Sequence, residues 1–184
     1  MNQLEVILSK KKKAILGKWL DLIAESHPAG NNLFKDKDQF NNPVGYTISS
    51  EVEPLYDELL RGNTCSEEVA LSLDRIIRIT AVQEFTPSQA IGFIFLLKKA
   101  IREELDRNAN EKQMLEDLLE LYHTIDKMGF TAFDMYASCR EKLMELRINQ
   151  VKNDRDNAFR LMERMLLKHE ELEDASAAGY NNVE

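Results

Sequence analysis

EKQMLEDLLELYHTIDKMGFTAFDMYASCREKLMEL, residues 111–146, decides the fold. On a helical wheel Leu115, Leu118, Leu119, Tyr122, Ile125, Phe133, Tyr136, Ala137, Leu143 and Met144 share one face. That is the period of about 3.6 residues expected of an amphipathic helix. The stripe keeps its phase through Gly129, which is either a kink in one helix or the stop between two. Glycine costs only about 1 kcal/mol inside a helix, so continuity is allowed. Two charges, Asp126 and Arg140, interrupt the stripe. A buried charge is costly unless paired. Each therefore bridges to another helix or belongs to a polar site in the core. At a rise of ~1.5 Å per residue they stand about 21 Å apart on a continuous helix and need different partners.

Beyond Leu146 the pattern thins. Val151, Ala158, Met162, Met165 and Leu172 recur with four-three spacing, and Arg155 and His169 fill the intervening core positions. This is a weak heptad seam, stabilised mainly by pairing with a copy of itself or by lying on a partner. Residues 111–172, if straight, span about 93 Å. A domain of some 150 residues has a radius of gyration of about 15 Å, so the end of such a helix projects. The tail from Asp174, with its Ala-Gly and Asn-Asn pairs, reads as disordered.

The chain before residue 111 supplies shorter helices that dock on this stretch. Residues 3–26 carry the stripe Leu4, Leu8, Ile15, Trp19 and Leu22 or Ile23, with four lysines, Lys10–Lys13, on a solvated face. A loop from His27 to Asn42 holds Phe34 and Phe40, and two aromatics in a loop this long predict that it packs on the core. Asn42-Pro43 opens the next helix as N-cap and first residue, and Arg61-Gly62-Asn63 closes it. Thr64 with Glu67 fits a capping box, with Ser66 as a second possible cap. Thr86-Pro87-Ser88-Gln89 is another start signal. The helix it opens contains Ala90–Leu97, apolar all round and expected to be the most buried segment, with Gly92 admitting a neighbouring backbone.

Composition sets the class. The 184 residues are 43% hydrophobic and 30% charged with only seven glycines and four prolines, which favours long helices. Residues 1–107 carry 14 basic and 16 acidic side chains and residues 108–184 carry 10 and 16, so the net charge of −8 leaves no basic face for nucleic acid. Cys65 and Cys139 give neither metal spacing nor a disulfide framework and read as free thiols in a reducing compartment. The first residues lack a signal-peptide core, and Ala90–Leu97 is too short to span a membrane. These features predict a cytoplasmic protein without membrane insertion.

A site for chemistry is hard to assemble. Glu120 and His123 have the Glu-x-x-His spacing of di-iron bundles, but there is no second copy and both point to the polar face. His123 fails as a haem ligand for the same reason; His27 stands beside a proline at a helix end and His169 lies in the extension. No glycine loop cradles a phosphate. Cys139, beside Arg140, reads as a small helix-face residue. No catalytic residue, metal or cofactor is expected.

Four motifs in order carry a resemblance: Phe40-Asn41-Asn42-Pro43-Val44-Gly45, Arg75-Ile76-Ile77-Arg78, Phe85-Thr86-Pro87-Ser88-Gln89-Ala90 and Phe133-Asp134-Met135-Tyr136-Ala137-Ser138-Cys139-Arg140-Glu141. Over residues 5–150 the chain resembles the N-terminal domain of the stressosome co-antagonist RsbRD and its stand-alone relatives. The resemblance implies an all-helical, globin-related sensor domain without haem. Multidomain members continue through a long helix to a STAS signalling domain. This sequence stops after the helix, so the sensor and dimerisation parts alone carry over.

The expected architecture is therefore all-α: a globin-like domain over 1–148, a coiled-coil-like helical extension over 149–173 and a tail over 174–184. The candidate pocket or buried polar residues are Asn42, Arg75, Arg78, Asp126, Tyr136 and Arg140. The candidate interface is Val151, Ala158, Met162, Met165 and Leu172. The expected role is a non-enzymatic regulatory domain that forms a homodimer and binds a protein partner. The rival is a sensor with a metabolite or redox-ligand pocket behind the 34–46 loop.

Overall fold

The computed structural model describes residues 3–27, 30–36, 38–62, 66–83, 85–105 and 112–180, with the side chains of the last helix as far as 169. Regular structure among them is helical throughout: α1 (Gln3–Lys10), α2 (Lys12–Ser26), a 3-10 turn at Gly30–Asn32, α3 (Pro43–Leu60), α4 (Glu67–Val82), α5 (Pro87–Glu104) and α6 (Lys112–Tyr180). The long stretch is thus one helix, uninterrupted at Gly129. It also runs past Asp174, where the sequence signals disorder, and residues 181–184 lie outside the described residues. The chain divides into two compact units, 1–140 and 141–184.

In the first unit α3 packs on α4 and α2 on α5. Their apolar faces bury Ile15, Trp19, Leu55, Tyr56, Ile76, Ile77, Ile94 and Leu97. The polar atoms of the two large aromatics are matched. Trp19 donates its Nε1–H to the Phe93 carbonyl at 2.6 Å, and the Tyr56 hydroxyl donates to the Leu8 carbonyl at 3.2 Å. Burial pushes the Tyr56 phenol well above its ordinary range.

The first helical stretch is two helices, broken at Lys11. The Lys11 ammonium donates to the Glu104 carbonyl at 2.5 Å, at the last turn of α5, where backbone carbonyls lack partners and a cation is favourable. Lys12 reaches Glu53 and Asp57 of α3, both at 2.7 Å, and Lys18 reaches Glu103 of α5 at 2.9 Å. Lys11 and Lys12, half of the run expected on a solvated face, therefore tie neighbouring helices together.

The helix starts follow local chemistry. Asn42 Oδ1 accepts the Gly45 N–H at 3.0 Å, with Pro43 behind it. Ser66 caps α4 by accepting the Val69 N–H at 3.2 Å, and Thr64 lies outside the described residues. Thr86 and Gln89 form a reciprocal capping box at α5.

The docking face of α6 differs from the expected stripe. Met114, Ile125, Met128, Ala132 and Tyr136 are buried, whereas Leu115, Leu119, Phe133 and Met144 are exposed. The close approach expected at Gly92 is absent; a Cβ there meets open space. It occurs instead at Gly129, where a Cβ would overlap the Phe95 ring. The ring of Phe95 lies against the α6 backbone at that point, on the face of α6 that turns inward. Phe95 itself is 36% exposed, so the Ala90–Leu97 run is buried on one side only.

Candidate functional site

At the start of α3 a loop is joined to a helix. Asn42 does three things there. Its Oδ1 caps α3, and its Nδ2 donates to the carbonyls of Leu33 at 2.5 Å and Asp36 at 2.9 Å. The loop is thereby fastened to the helix. Gly45 completes the joint, because a Cβ at that position would overlap the Leu33 carbonyl oxygen. Leu33 is buried and Phe34 half-buried against this joint. Phe40 is not; it is 93% exposed at the tip of a turn in which Asp38 Oδ1 accepts the N–H groups of Phe40 and Asn41. The expectation that both aromatics pack inward is corrected for Phe40. The carboxylate of Asp38 closes the turn by itself, so no burial of the ring is needed.

Two hollows flank Tyr46. One, of about 500 Å³, lies between Gly17, Leu20 and Asp21 of α2, Phe34 and Asp36 of the loop, and Tyr46 and Ser49 of α3. The other, of about 620 Å³, is a more open groove between α3 and α4 that includes Ser50, Glu51, Arg75 and Arg78.

The sequence-predicted polar residues fall in three places. Arg75 and Arg78 share the α3–α4 groove, but both are exposed rather than buried. Each carries a carboxylate: Arg75 meets Glu51 at 2.9 Å and Arg78 meets Asp74 at 2.6 Å, a contact that raises the Arg78 guanidinium further above its ordinary value. Tyr136 and Arg140 meet at the connection between α4 and α5. The Tyr136 hydroxyl donates to the Phe85 carbonyl and Arg140 donates to the Ala81 carbonyl at 3.1 Å. Asp126 stands apart, bridged to Lys98 at 2.6 Å. The two charges on the α6 stripe thus have separate partners, one an ion pair and one a helix-end carbonyl.

Two buried acids escaped the sequence reading. Glu51 and Glu58 are each 7% exposed on the inner side of α3. Glu58 takes Arg61 and the Ser66 hydroxyl, the latter at 3.3 Å. Their signal is present: both fall between apolar positions of the Ile48, Val52, Leu55, Leu59 stripe. Among the described residues no three His, Cys, Asp or Glu side chains gather as a metal site. His27 sits edge-on to Phe85 with ring centroids 5.0 Å apart, and burial holds its imidazole below the ordinary value.

Residues 13–151 match the model of the RsbT co-antagonist protein rsbRD N-terminal domain. The chain belongs to this family. The rsbRD N-terminal domain is a regulatory co-antagonist domain, and membership points to a stressosome-type regulatory or sensor role. An uncharacterized protein of Archaeoglobus fulgidus is 30% identical over 99 residues, 53% of this chain, and the match spans 62% of the relative's length. No solved structure matches. Three of the four motifs that resemble the family serve as joints in this rsbRD N-terminal domain: Asn42 and Gly45, Thr86 and Gln89, and Tyr136 and Arg140. The fourth, Arg75 to Arg78, lines the α3–α4 groove. Among the described residues no helix is long and apolar enough to cross a membrane.

Proposed function

We propose that this rsbRD-type domain is a non-enzymatic regulator that acts by self-pairing and by presenting its last helix to a protein partner. Residues 1–148 are the sensor part and 149–173 the pairing extension. One observation carries the reading. In the 141–184 unit Val151, Phe159, Leu161, Met162, Met165, Leu166 and Leu167 are all at least half exposed. Ala158 is exposed too, and the Leu172 side chain lies beyond the described ones. At about 100° per residue, positions 158, 159, 161, 162, 165 and 166 cover an arc of about 160°. This is wider than the two-position seam of a simple coiled coil. Apolar patches of that extent mark interaction surfaces. Light scattering on the full chain and on a version ending at Ile148 tests the reading. Dimer mass at tens of micromolar that falls to monomer on truncation is the expected result. A monomeric full chain removes the self-pairing claim.

A second reading has its own observation. The hollow of about 500 Å³ lies behind the 34–46 loop, where a ligand sensor needs a pocket, and its size falls in the range of small-molecule sites. In this reading ligand binding there is the signal that the helix transmits.

A further inference from the structure

The hollow behind Phe34 has one chemical character. Its carboxylates, Asp21 and Asp36, come from different elements, and its aromatic walls are Phe34 and Tyr46. Among the described residues that line it, none is basic. The α3–α4 groove on the other side of Tyr46 is different, since its arginines are balanced by acids. A carboxylate attracts a cation, and an aromatic face attracts it again through the ring quadrupole. Three of the first four positions of α3 offer no donor to an anion. Pro43 has no N–H, the Gly45 N–H is taken by Asn42 Oδ1, and the Tyr46 N–H by the Asn42 carbonyl.

The walls are held in place before any ligand arrives. Asn42 fixes the carbonyls of Leu33 and Asp36, which bracket Phe34, and Gly45 lets the loop lie directly on α3. One oxygen of Asp36 accepts the Asp38 N–H at 2.9 Å, which orients the carboxylate. Gly17 leaves the α2 side open, because a Cβ built there meets nothing within 4 Å. A glycine in mid-helix costs about 1 kcal/mol relative to alanine. A side chain at this position would extend into open space.

We infer that this hollow binds a small organic cation of the alkylammonium class, the ammonium group lying between Asp21, Asp36 and the two rings. The inference rests on the second reading above and names its ligand class. Because the carboxylates are exposed, water screens them, and the affinity is modest, with Kd on the order of a millimolar.

The test uses the full chain and three probes at physiological salt: choline, its uncharged carbon isostere dimethylbutanol, and acetate. Amide chemical shifts and calorimetry are the readouts. Choline is expected to saturate, with shifts confined to residues around Gly17, Phe34 and Tyr46, and to bind at least about tenfold more tightly than the isostere. Gly17→Leu, which fills the open side without a clash on the α2 backbone, weakens choline binding about tenfold or more. So does the pair Asp21→Asn and Asp36→Asn. The pair Glu141→Gln and Glu145→Gln removes as many charges from an exposed stretch of α6 and leaves binding unchanged. Equal weakening by that control pair would show attraction to net charge alone and overturn the proposal. Isostere binding as tight as choline, lost in Gly17→Leu, would overturn the cation assignment while the pocket stands. No localised shift from any of the three probes would remove the pocket and the cation together.

Discussion

At the scale of single residues, Gly45 and Phe40 mark opposite ends of the same loop. A methyl group at Gly45 meets the backbone oxygen of Leu33, which cannot swing aside as a side chain does. Gly45→Ala is expected to destabilise by about 1–3 kcal/mol, the usual cost of overpacking. Phe40→Ala, removing a ring that water already surrounds, stays within about 0.5 kcal/mol. Urea unfolding of the two variants checks the contrast, and equal losses would mean that the ring is covered. His27 gives a pH dependence with a definite sign. Its folded-state value is depressed by burial, so the unfolded chain takes up the proton first. Its contribution is present at neutral pH and is lost as pH falls below about 6.5, by no more than about 1.4 kcal/mol per pH unit. The Glu103 carboxyl is held below its ordinary value, chiefly by Lys18, so its contribution is lost at lower pH, from the usual carboxylate range downward. The fall in melting temperature between about pH 7 and 5 should therefore shrink in His27→Phe. An unchanged slope would assign the acid sensitivity elsewhere.

At the scale of elements, the sequence was legible where the governing interaction is local. Asn42-Pro43 and Thr86-Pro87-Ser88-Gln89 start their helices as expected, because a cap needs only the next three residues. The contact of Lys11 with the Glu104 carbonyl was not legible, since its partner lies 93 residues away. The facing of α6 failed for a similar reason. Leu115, Leu119 and Phe133 are as apolar as Ile125 and Met128, and what separates them is packing against distant helices, as at Phe95 and Gly129. The candidate site divides the same way. The cap Asn42 is readable from Asn42-Pro43 alone, whereas Gly17 and Asp21 join the hollow only through the packing of α2. The two caps also differ in reach. Thr86→Ala removes one capping box and should cost about 0.5–2 kcal/mol. Asn42→Ala removes a cap and also strips the donor from the Leu33 and Asp36 carbonyls, so it should cost more than Thr86→Ala. Denaturant midpoints of the two variants check the order; an equal or smaller loss in Asn42→Ala would mean that the loop is not held by this side chain.

At the scale of the whole molecule, the single helix α6 belongs to two environments. Up to Arg140 it is anchored: Ile125, Met128, Ala132 and Tyr136 are buried, and Arg140 holds the Ala81 carbonyl. From Glu141 to His169 the residues are exposed except Leu143, which is partly so. Helical stability in proteins comes mainly from packing of one face, and an uncovered helix opens readily. Hydrogen exchange should therefore change character within α6. Amides of residues 125–136 are expected to exchange slowly, near the rate set by global unfolding. Those of 141–169 should exchange much faster when the protein is dilute. If the apolar arc is covered by a second copy, raising the concentration to tens of micromolar must slow exchange in 141–169 and leave 125–136 nearly unchanged. Protection in 141–169 that is independent of concentration would place the cover within the chain. Rapid exchange at every concentration would leave the arc to a different partner, and adding that partner would then be the step that orders it.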